Sequence, residues 1–301
     1  MIRIGVDFGG TKIEAAALDA AGAFAARVRR PNPGDYAGAL ATVGETVREA
    51  EEKARVKAAA IGVGAPGSIS PATGLMRNAN SVWLNGKPFL EDLRRTLSRP
   101  VRIENDANCF ALSEALGGSA AAATVVFGAI LGTGCGGGVV VRGRTVEGAN
   151  GIGGEWGHTP LPWPTAEERA AKRCWCGRRD CLETWVSGTG FCDDYEAATG
   201  ERLTGDQIMT FARAGEPVAR ATYERYVDRL GRALAVICDI IDPDVIVFGG
   251  GMSNVDELYA DVPPVVARYA FSDVFTTRIV KAHYGDSSGV RGAAWLWPLD
   301  T

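Results

Sequence analysis

Near its N-terminus the chain reads IRIGVDFGGTK over residues 2–12, and AILGTGCGGG over residues 129–138 repeats the same design. In both copies an apolar run ends in glycines and a second apolar run follows, at Ile13–Leu18 in the first copy and at Val139–Val141 in the second. Each copy predicts two strands joined by a tight glycine turn. Two such strand pairs favour a duplicated α/β fold with two lobes and a cleft between them.

The other periodic segments are helices and single strands. Apolar residues at helical spacing predict long helices over Tyr36–Ala54 and Pro217–Ile241. A strand at Val101–Glu104 is followed at once by a helix that starts at Asp106. Residues 64–85 are rich in Gly, Pro, Ser and Asn and show no sustained period, so we expect a long, functional loop there.

The length of 301 residues suggests about two domains. Small residues at Gly117–Ala120 mark a change in composition, and the second glycine-turn copy follows soon after. We therefore place a boundary there. Residues 1–118, joined by about 284–301, are expected to form a small N-terminal lobe, and residues 119–283 a large lobe.

The composition is that of a globular protein, with 46% hydrophobic and 23% charged residues. Against 36 Asp and Glu there are 32 Lys and Arg, giving a net charge of −4 with no basic block, which argues against nucleic acid as a partner. The first residues carry no signal-peptide pattern, and no apolar run approaches the roughly 20 residues that span a bilayer. We expect a cytoplasmic protein that does not bind membranes.

The first glycine turn, DFGGTK at residues 7–12, combines groups that can bind phosphate. An aspartate ends the strand, two glycines let the backbone approach a bound group, and a hydroxyl and an ammonium follow. Taken alone, a plain hairpin turn explains this pattern equally well. Two more turns, Gly132–Gly134 and Gly249–Gly251, also follow apolar strands. Three such turns together favour a nucleotide site, with two turns at the phosphates and the third under the nucleoside.

Asp106 lies where a strand gives way to a helix, a position at the sheet edge where α/β proteins commonly bind ligands. Two interpretations remain open for it. It either only caps the helix, or it acts as a general base that takes the proton from a hydroxyl as that hydroxyl attacks phosphorus. Asn105 beside it could hold a neighbouring hydroxyl.

Cysteines are concentrated at Cys174, Cys176 and Cys181, and one of the two histidines, His158, precedes them. Three thiolates and one imidazole make a closed tetrahedral zinc site, which is structural because no position is left for water. Free thiols without a metal are the alternative interpretation. A zinc-dependent hydrolase is disfavoured for the same lack of an open position.

Acidic and amide side chains flank these motifs. Glu155 lies just before the histidine and Glu183 just after the last cysteine, so a zinc-stiffened segment could aim both carboxylates at the hydroxyls of a polyol. The stretch 78–86 interleaves amides, among them Asn80, with an indole, and such side chains hydrogen-bond to sugars and stack on them. Solvated surface carboxylates and a polar loop around one buried Trp are the alternatives.

The order and spacing of these motifs resemble the ROK family of sugar kinases over nearly the whole chain. The stretches that carry the resemblance are DFGGTK at 7–12, GAPG at 64–67, ENDAN at 104–108, GTG at 132–134, GGEWGH at 153–158 and the cysteines at 174–181. The resemblance implies an actin-like, hexokinase-type fold related to ribonuclease H, with ATP, Mg²⁺ and phosphoryl transfer to a hexose hydroxyl. Some members are repressors with an N-terminal helix-turn-helix, but here the phosphate turn begins at Asp7, which favours a kinase.

Carried over position by position, the resemblance makes Asp106 the catalytic base. It implies sugar contacts from Asn80, Asn105, Asp106, Glu155, His158 and Glu183. It implies a structural zinc ion held by His158, Cys174, Cys176 and Cys181. The residues expected at the nucleotide are Gly5, Asp7, Gly9, Gly10, Thr11, Lys12, Gly132, Thr133, Gly134, Gly136, Gly137, Gly138, Gly249 and Gly250. Family habit also implies a homodimer.

Within the family, the stretches at 67–71, 78–86, 160–163 and 289–297 look most like those of bacterial fructokinases that also take mannose. We therefore expect ATP-dependent phosphorylation of the 6-hydroxyl of fructose. Kinases for N-acetylglucosamine or glucose are the alternative within the family, and the loop around Asn80 is where they would differ. A non-catalytic sugar-sensing binder is the alternative of another class.

Overall fold

The structure, a computed structural model, describes residues 2–169 and 172–297. Its strands are β1 (Arg3–Phe8), β2 (Lys12–Leu18), β3 (Phe24–Pro31), β4 (Ile61–Ala65), β5 (Ser68–Ile69), β6 (Met76–Arg77), β7 (Val101–Asn105), β8 (Val125–Leu131), β9 (Cys135–Val141), β10 (Arg144–Thr145), β11 (Val245–Gly249) and β12 (Arg278–Lys281). Its helices are α1 (Tyr36–Ala54), α2 (Phe89–Leu97), α3 (Asp106–Gly117), α4 (Glu183–Val186), α5 (Gly188–Thr199), α6 (Gly205–Arg213), α7 (Pro217–Ile241), α8 (Leu258–Tyr269) and α9 (Ser288–Trp295).

Two five-stranded sheets share one strand order. The first runs β3-β2-β1-β4-β7, and the second runs β10-β9-β8-β11-β12. In the first, β2 is antiparallel to β1 and β3, whereas β4 and β7 run parallel to β1. In the second, β9 and β10 are antiparallel, and β8, β11 and β12 are parallel. The repeated order confirms the duplicated α/β fold that the two glycine-turn copies predict, and it agrees with the actin-like fold that the family resemblance implies.

The central strands are apolar because both of their faces are covered. Every residue of β4 and of β11 is buried, which is typical of parallel strands packed on two sides. Helix α9 lies against β1 and β4, and glycines allow the close approach. A Cβ on Gly5 would lie 2.2 Å from the carbonyl oxygen of Val290, and one on Gly62 would lie 1.8 Å from that of Ala293.

The two longest helices begin and end at the predicted residues because their ends carry clear caps. Asp35 caps α1 by accepting a hydrogen bond from the Gly38 amide, and the helix ends at Arg55 in the left-handed conformation. Glu216 caps α7, with Pro217 as its first residue, and Asp242 ends it in the left-handed conformation. Within the described residues, no helix is long and apolar enough to cross a bilayer.

Contacts divide the chain into two units. The division differs from the predicted lobes chiefly in residues 138–154, which belong with the first unit and not, as the sequence pattern predicts, with the large lobe. The reason is contact with the start of α3, where Thr145 donates a hydrogen bond to Glu104 and Gly138 approaches the Ala107 carbonyl. The first unit comprises Met1–Ala121, Gly138–Gly154 and Tyr284–Thr301, and the second comprises Ala122–Gly137 and Glu155–His283.

Candidate functional site

In the first unit, two carboxylates lie at the same edge of the sheet. Asp7 pairs in register with Gly64 of β4, and Gly64 pairs with Glu104 of β7, so the carboxyl ends of these three parallel strands are level. Asp106 follows β7 as the first residue of α3 and is exposed. Burial, together with the carboxylates of Asp106 and Glu14, raises the pKa of Asp7 to about 6. Such an edge is where α/β sheets bind ligands. A cation there would favour the ionised form of the Asp7 carboxyl, which burial and the neighbouring carboxylates disfavour.

Asn105 and Asp106 occupy different positions at the start of α3. Asn105 is the N-cap: its side-chain oxygen accepts from the Ala107 amide at 2.9 Å, and its Nδ2 donates to the Gly67 carbonyl at 3.1 Å. Asp106 is therefore not the N-cap residue itself. One carboxylate oxygen of Asp106 also accepts from the Ala107 amide, at 2.9 Å.

Glu104, which the sequence analysis missed, stabilises the start of α3 through hydrogen bonds. Its buried carboxylate accepts from the Asn105 amide at 2.8 Å, from Asn108 Nδ2 at 3.0 Å and from the Thr145 hydroxyl at 3.1 Å. Burial, with a smaller contribution from Glu147, raises the pKa of Glu104 to about 7. Its position in the ENDAN stretch was visible, but its partners are brought together only by the fold.

The turn between β1 and β2 is closed by a hydrogen bond from the Gly9 amide to the Lys12 carbonyl, at 2.9 Å. Asn32, a second residue that the sequence analysis missed, holds this turn through two hydrogen bonds. Asn32 Nδ2 donates to the Gly9 carbonyl at 2.8 Å, and the Asn32 amide donates to the Thr11 carbonyl at 3.0 Å. Asp7, Gly9, Gly10, Thr11 and Lys12 therefore form one fixed turn. Gly5 lies inside β1 instead, packed on α9.

The predicted long loop after β4 contains the short β5–β6 pair and then the stretch 78–86, with Asn80 exposed. Asn85 closes this stretch, because its side chain both accepts from and donates to the Ala79 backbone at 2.9 Å. A Cβ on Gly10 would lie 3.5 Å from Ser81 Oγ, so the phosphate turn adjoins the stretch. Trp83 packs edge-on against Phe8, with ring centroids 6.1 Å apart. The first unit thus brings the Asp7 turn and the Asn80 stretch together.

In the second unit, four predicted ligands form one cluster, which we call the Cys/His cluster. The ligand atoms of His158, Cys174, Cys176 and Cys181 all lie within 4.8 Å of one another. Cys174 Sγ is 3.6 Å from His158 Nδ1, and Cys176 Sγ is 3.6 Å from Cys181 Sγ. A tetrahedron with zinc–sulfur bonds of about 2.3 Å has sulfur–sulfur edges of about 3.8 Å, so the spacing fits zinc.

Local backbone structure explains why these ligands converge. A hydrogen bond from the Cys174 amide to the Arg178 carbonyl, at 3.0 Å, folds the segment back on itself. The turn passes through Gly177, whose φ of 89° is readily adopted only by glycine. An isolated antiparallel bridge between Pro160 and Cys181 then places the last cysteine beside the residues that follow His158.

The remaining predicted sugar contacts also lie in this unit. Glu155 directly precedes the short helical turn Trp156–His158. Glu183 is the first residue of α4, and its carboxylate accepts from the Trp175 indole at 2.7 Å and from the Cys135 amide at 2.9 Å. Because His158 turns Nδ1 toward the cluster, its role as a ligand and its predicted sugar contact would use different ring nitrogens.

The turn Gly132–Gly134, here called the GTG turn, borders a cavity of about 660 Å³ within the second unit. Gly132, Thr133 and Gly251 line the cavity, together with Thr189 and Asn254, which the sequence analysis missed. Gly250 has φ 76° and lies so close to the GTG turn that a Cβ would be 2.6 Å from the Leu131 carbonyl oxygen. Two of the three predicted glycine turns therefore meet at this cavity.

The other predicted glycines have different surroundings. Gly136, Gly137 and Gly138 lie within β9, beyond the turn, and Gly249 is the last residue of β11. Gly134 lies against Glu183, since a Cβ there would be 2.5 Å from the carboxylate. The role of each of these residues at a nucleotide stays a prediction.

The chain is similar in sequence and in fold to known proteins of one family. The model of the ROK family matches residues 3–299. N-acetyl-D-glucosamine kinase of Pectobacterium atrosepticum is 40% identical over 98% of this chain and 99% of its own length. The crystal structure of the ROK hexokinase from Thermus thermophilus has a TM-score of 0.86 and 30% identity, covering 98% of this chain and 97% of that one. A ROK family glucokinase from Streptomyces griseus, in complex with glucose and AMPPNP, has a TM-score of 0.79 and 26% identity, covering 98% and 99%.

Proposed function

This chain belongs to the ROK family and is a sugar kinase, and from that premise we propose that it transfers phosphate from ATP to N-acetyl-D-glucosamine. The observation that carries the proposal is the 40% identity, over 98% of this chain, to a kinase of that name. The same relationship counts against fructose, which the stretches at 67–71 and 78–86 had favoured.

The second unit supplies the proposed nucleotide site. The cavity of about 660 Å³ is large enough for a nucleoside, and Gly132 and Thr133 of the GTG turn line it. A glycine turn in this place would bring backbone close to the phosphates. The glucokinase of Streptomyces griseus binds AMPPNP in its crystal structure, and this supports an ATP-type donor here. Mg²⁺ would neutralise charge on the transferred phosphates, and Asp7, with its raised pKa, is the side chain that would hold it.

The first unit supplies the proposed acceptor site and base. Asp106 is exposed at the ligand-binding edge, and the cap by Asn105 keeps its backbone fixed. We assign it the role of general base, which takes the proton from the sugar 6-hydroxyl as that oxygen attacks the γ-phosphorus. Asn80 and Asn105 of the same unit would hold neighbouring hydroxyls. Glu155, His158 and Glu183 stay predicted sugar contacts, from the resemblance to the family alone.

The Cys/His cluster would hold a structural zinc ion. Its donor set of one imidazole and three thiolates closes a tetrahedron, and the 3.6 Å spacings agree with that geometry. Bound there, zinc would cross-link the segment 158–181 and leave no open position for chemistry at the metal.

The test is an ATP-consumption assay with Mg²⁺, run against N-acetylglucosamine, N-acetylmannosamine, glucose, mannose and fructose. We expect the highest kcat/KM for N-acetylglucosamine, since a pocket built for the acetamido group leaves polar groups unpaired when the group is missing. A preference for fructose would restore the interpretation of residues 78–86 as a fructokinase loop. Binding of sugar and nucleotide without turnover would instead support a sugar-sensing binder.

A further inference from the structure

Glu183 joins the Cys/His cluster to the GTG turn. We propose that Glu183 is a positioning residue, through which the metal-loaded cluster fixes the GTG turn in the shape that binds the nucleotide polyphosphate. The inference rests on the proposed kinase function, but it concerns the nucleotide alone and does not depend on which sugar is the acceptor.

The two oxygens of the Glu183 carboxylate contact different segments, one at the GTG turn and one at the Cys/His cluster. Oε2 accepts from the Cys135 amide at 2.9 Å, and a Cβ on Gly134 would lie 2.5 Å from this oxygen, so it lies directly against the end of the turn. Oε1 accepts from the Trp175 indole at 2.7 Å and lies 3.8 Å from Cys174 Sγ. Among the described residues, no hydrogen bond runs directly from residues 174–176 to residues 132–135, so Glu183 provides the hydrogen-bonded link between them.

On the cluster side, Trp175 depends on the ligands that flank it. It stands between Cys174 and Cys176, and its ring meets that of His158 edge-on at 5.2 Å. Its side chain is 60% exposed, so burial of apolar surface does little to hold it. A metal that fixes these three ligands therefore also fixes the indole that Glu183 binds.

On the turn side, Glu183 supplies the anchor that α5 does not. The Gly132 carbonyl accepts from the Gly188 amide at 2.7 Å, and the Thr133 carbonyl accepts from the Thr189 hydroxyl at 2.8 Å. These bonds hold the beginning of the turn from α5. The turn is closed by a hydrogen bond from the Gly132 amide to the Gly134 carbonyl, at 3.0 Å, and the Cys135 amide just after it is held by Glu183. Loss of the Glu183 bond would therefore loosen the end of the turn.

A carboxylate is required here because both partners donate. The Trp175 indole and the Cys135 amide are both N–H groups, and a carboxylate has an acceptor oxygen for each. Glutamine has a single acceptor oxygen, so in Glu183→Gln one N–H would face the amide NH₂ of the side chain. Trp175→Phe removes the indole donor and keeps the aromatic ring beside His158.

The experiment measures zinc content by metal analysis and the Kd of Mg·AMPPNP by calorimetry, without sugar. We expect about one zinc per chain in the wild type, Glu183→Gln and Trp175→Phe, because no ligand is changed. The Kd should rise about tenfold in Glu183→Gln and less in Trp175→Phe, as a charge-assisted hydrogen bond is lost. Glu224→Gln, which removes a surface ion pair on α7, is the charge-matched control and should leave the Kd unchanged.

Removal of the metal tests the coupling itself. Zinc-free wild type should bind Mg·AMPPNP as weakly as Glu183→Gln, and zinc removal should add little in Glu183→Gln, because both changes break one link. The inference is overturned if zinc-loaded Glu183→Gln binds as tightly as the wild type. It is also overturned if zinc-free wild type with native circular dichroism keeps its Kd. A wild type that binds no Mg·AMPPNP would overturn the proposed function as well, which the sugar panel detects separately.

Discussion

The start of α3 carries Asn105 as its N-cap and Asp106 as its first residue. Because the cap is made by the neighbour, Asp106 can be changed with little loss of stability. We expect Asp106→Asn to lower kcat by about 10²–10⁴-fold, the usual contribution of a general base. The free energy of unfolding should change by less than about 1 kcal/mol, since asparagine keeps an oxygen that can accept from the Ala107 amide and the helix start loses only a favourable charge. Steady-state kinetics and urea denaturation check the two parts.

Asn105→Ala is the companion variant at this site. Its capping bond to Ala107 and its bond to Gly67 would both be lost, so the free energy of unfolding should fall by about 1–2 kcal/mol. If Asp106→Asn retains substantial kcat, the base assignment is wrong. If it unfolds as easily as Asn105→Ala, Asp106 has a structural role that its exposure does not suggest.

The residues that sequence could identify are those whose chemistry is unusual at their position. Asp106 after a strand, the glycine turns and the clustered cysteines are of this kind. Glu104 and Asn32 escaped detection because they act through partners distant in sequence, such as Thr145 for the former and Gly9 for the latter. A hydrogen bond between segments is set by the fold, and a single sequence does not display it.

Among the elements, α9 shows how glycines determine packing. Gly62 of β4 would place a Cβ 1.8 Å from the Ala293 carbonyl oxygen, which is backbone and cannot move aside. We expect Gly62→Ala to lower the free energy of unfolding by about 1–3 kcal/mol, the usual cost of overpacking a core. Urea denaturation measures this.

Gly205→Ala is the matched control, because its Cβ would meet nothing closer than 3.8 Å and the residue is the first of α6. It should be neutral or slightly stabilising, since alanine has less conformational entropy to lose on folding. If Gly62→Ala is as stable as Gly205→Ala, α9 packs more loosely on β4 than these distances require.

At this scale the sequence predicts elements with strong local signals. The bounds of α1 and α7 were predicted because each helix carries apolar residues at helical spacing, and because Pro243 disfavours a helical conformation at Asp242. The short helices α5 and α6 were not assigned, because a few apolar positions do not establish a period. The grouping of residues 138–154 with the first unit depends on contacts with α3, which local pattern cannot reveal.

Two buried carboxylates, those of Asp7 and Glu104, lower the free energy of unfolding of the whole molecule near neutral pH. Burial raises the pKa of Asp7 from 3.8 to about 6 and that of Glu104 from 4.5 to about 7. The folded protein holds these protons more tightly than the unfolded chain. Their contribution to stability is therefore fully present below about pH 4 and is lost as the pH rises through 6 and 7. Glu257, whose pKa is lowered from 4.5 to about 2 by its hydrogen bond with Arg213, acts oppositely, because its contribution is present above about pH 4.5 and is lost as the pH falls toward 2.

We therefore expect the free energy of unfolding to be greatest near pH 5 and to fall by about 2–4 kcal/mol between pH 5 and pH 8. The size follows because a pKa shift of one unit changes the free energy of unfolding by at most about 1.4 kcal/mol. Urea denaturation across this range, without ligands, measures the profile. Asp7→Asn and Glu104→Gln should each flatten it by removing one titrating carboxyl, whereas Glu224→Gln, at an exposed ion pair, should leave its slope unchanged. A wild-type profile that is level from pH 5 to pH 8 would mean that neither carboxyl is shielded from water. Asp7 would then lack the preference for a positive partner that makes it the candidate for holding Mg²⁺, so this profile tests the proposed site through stability alone.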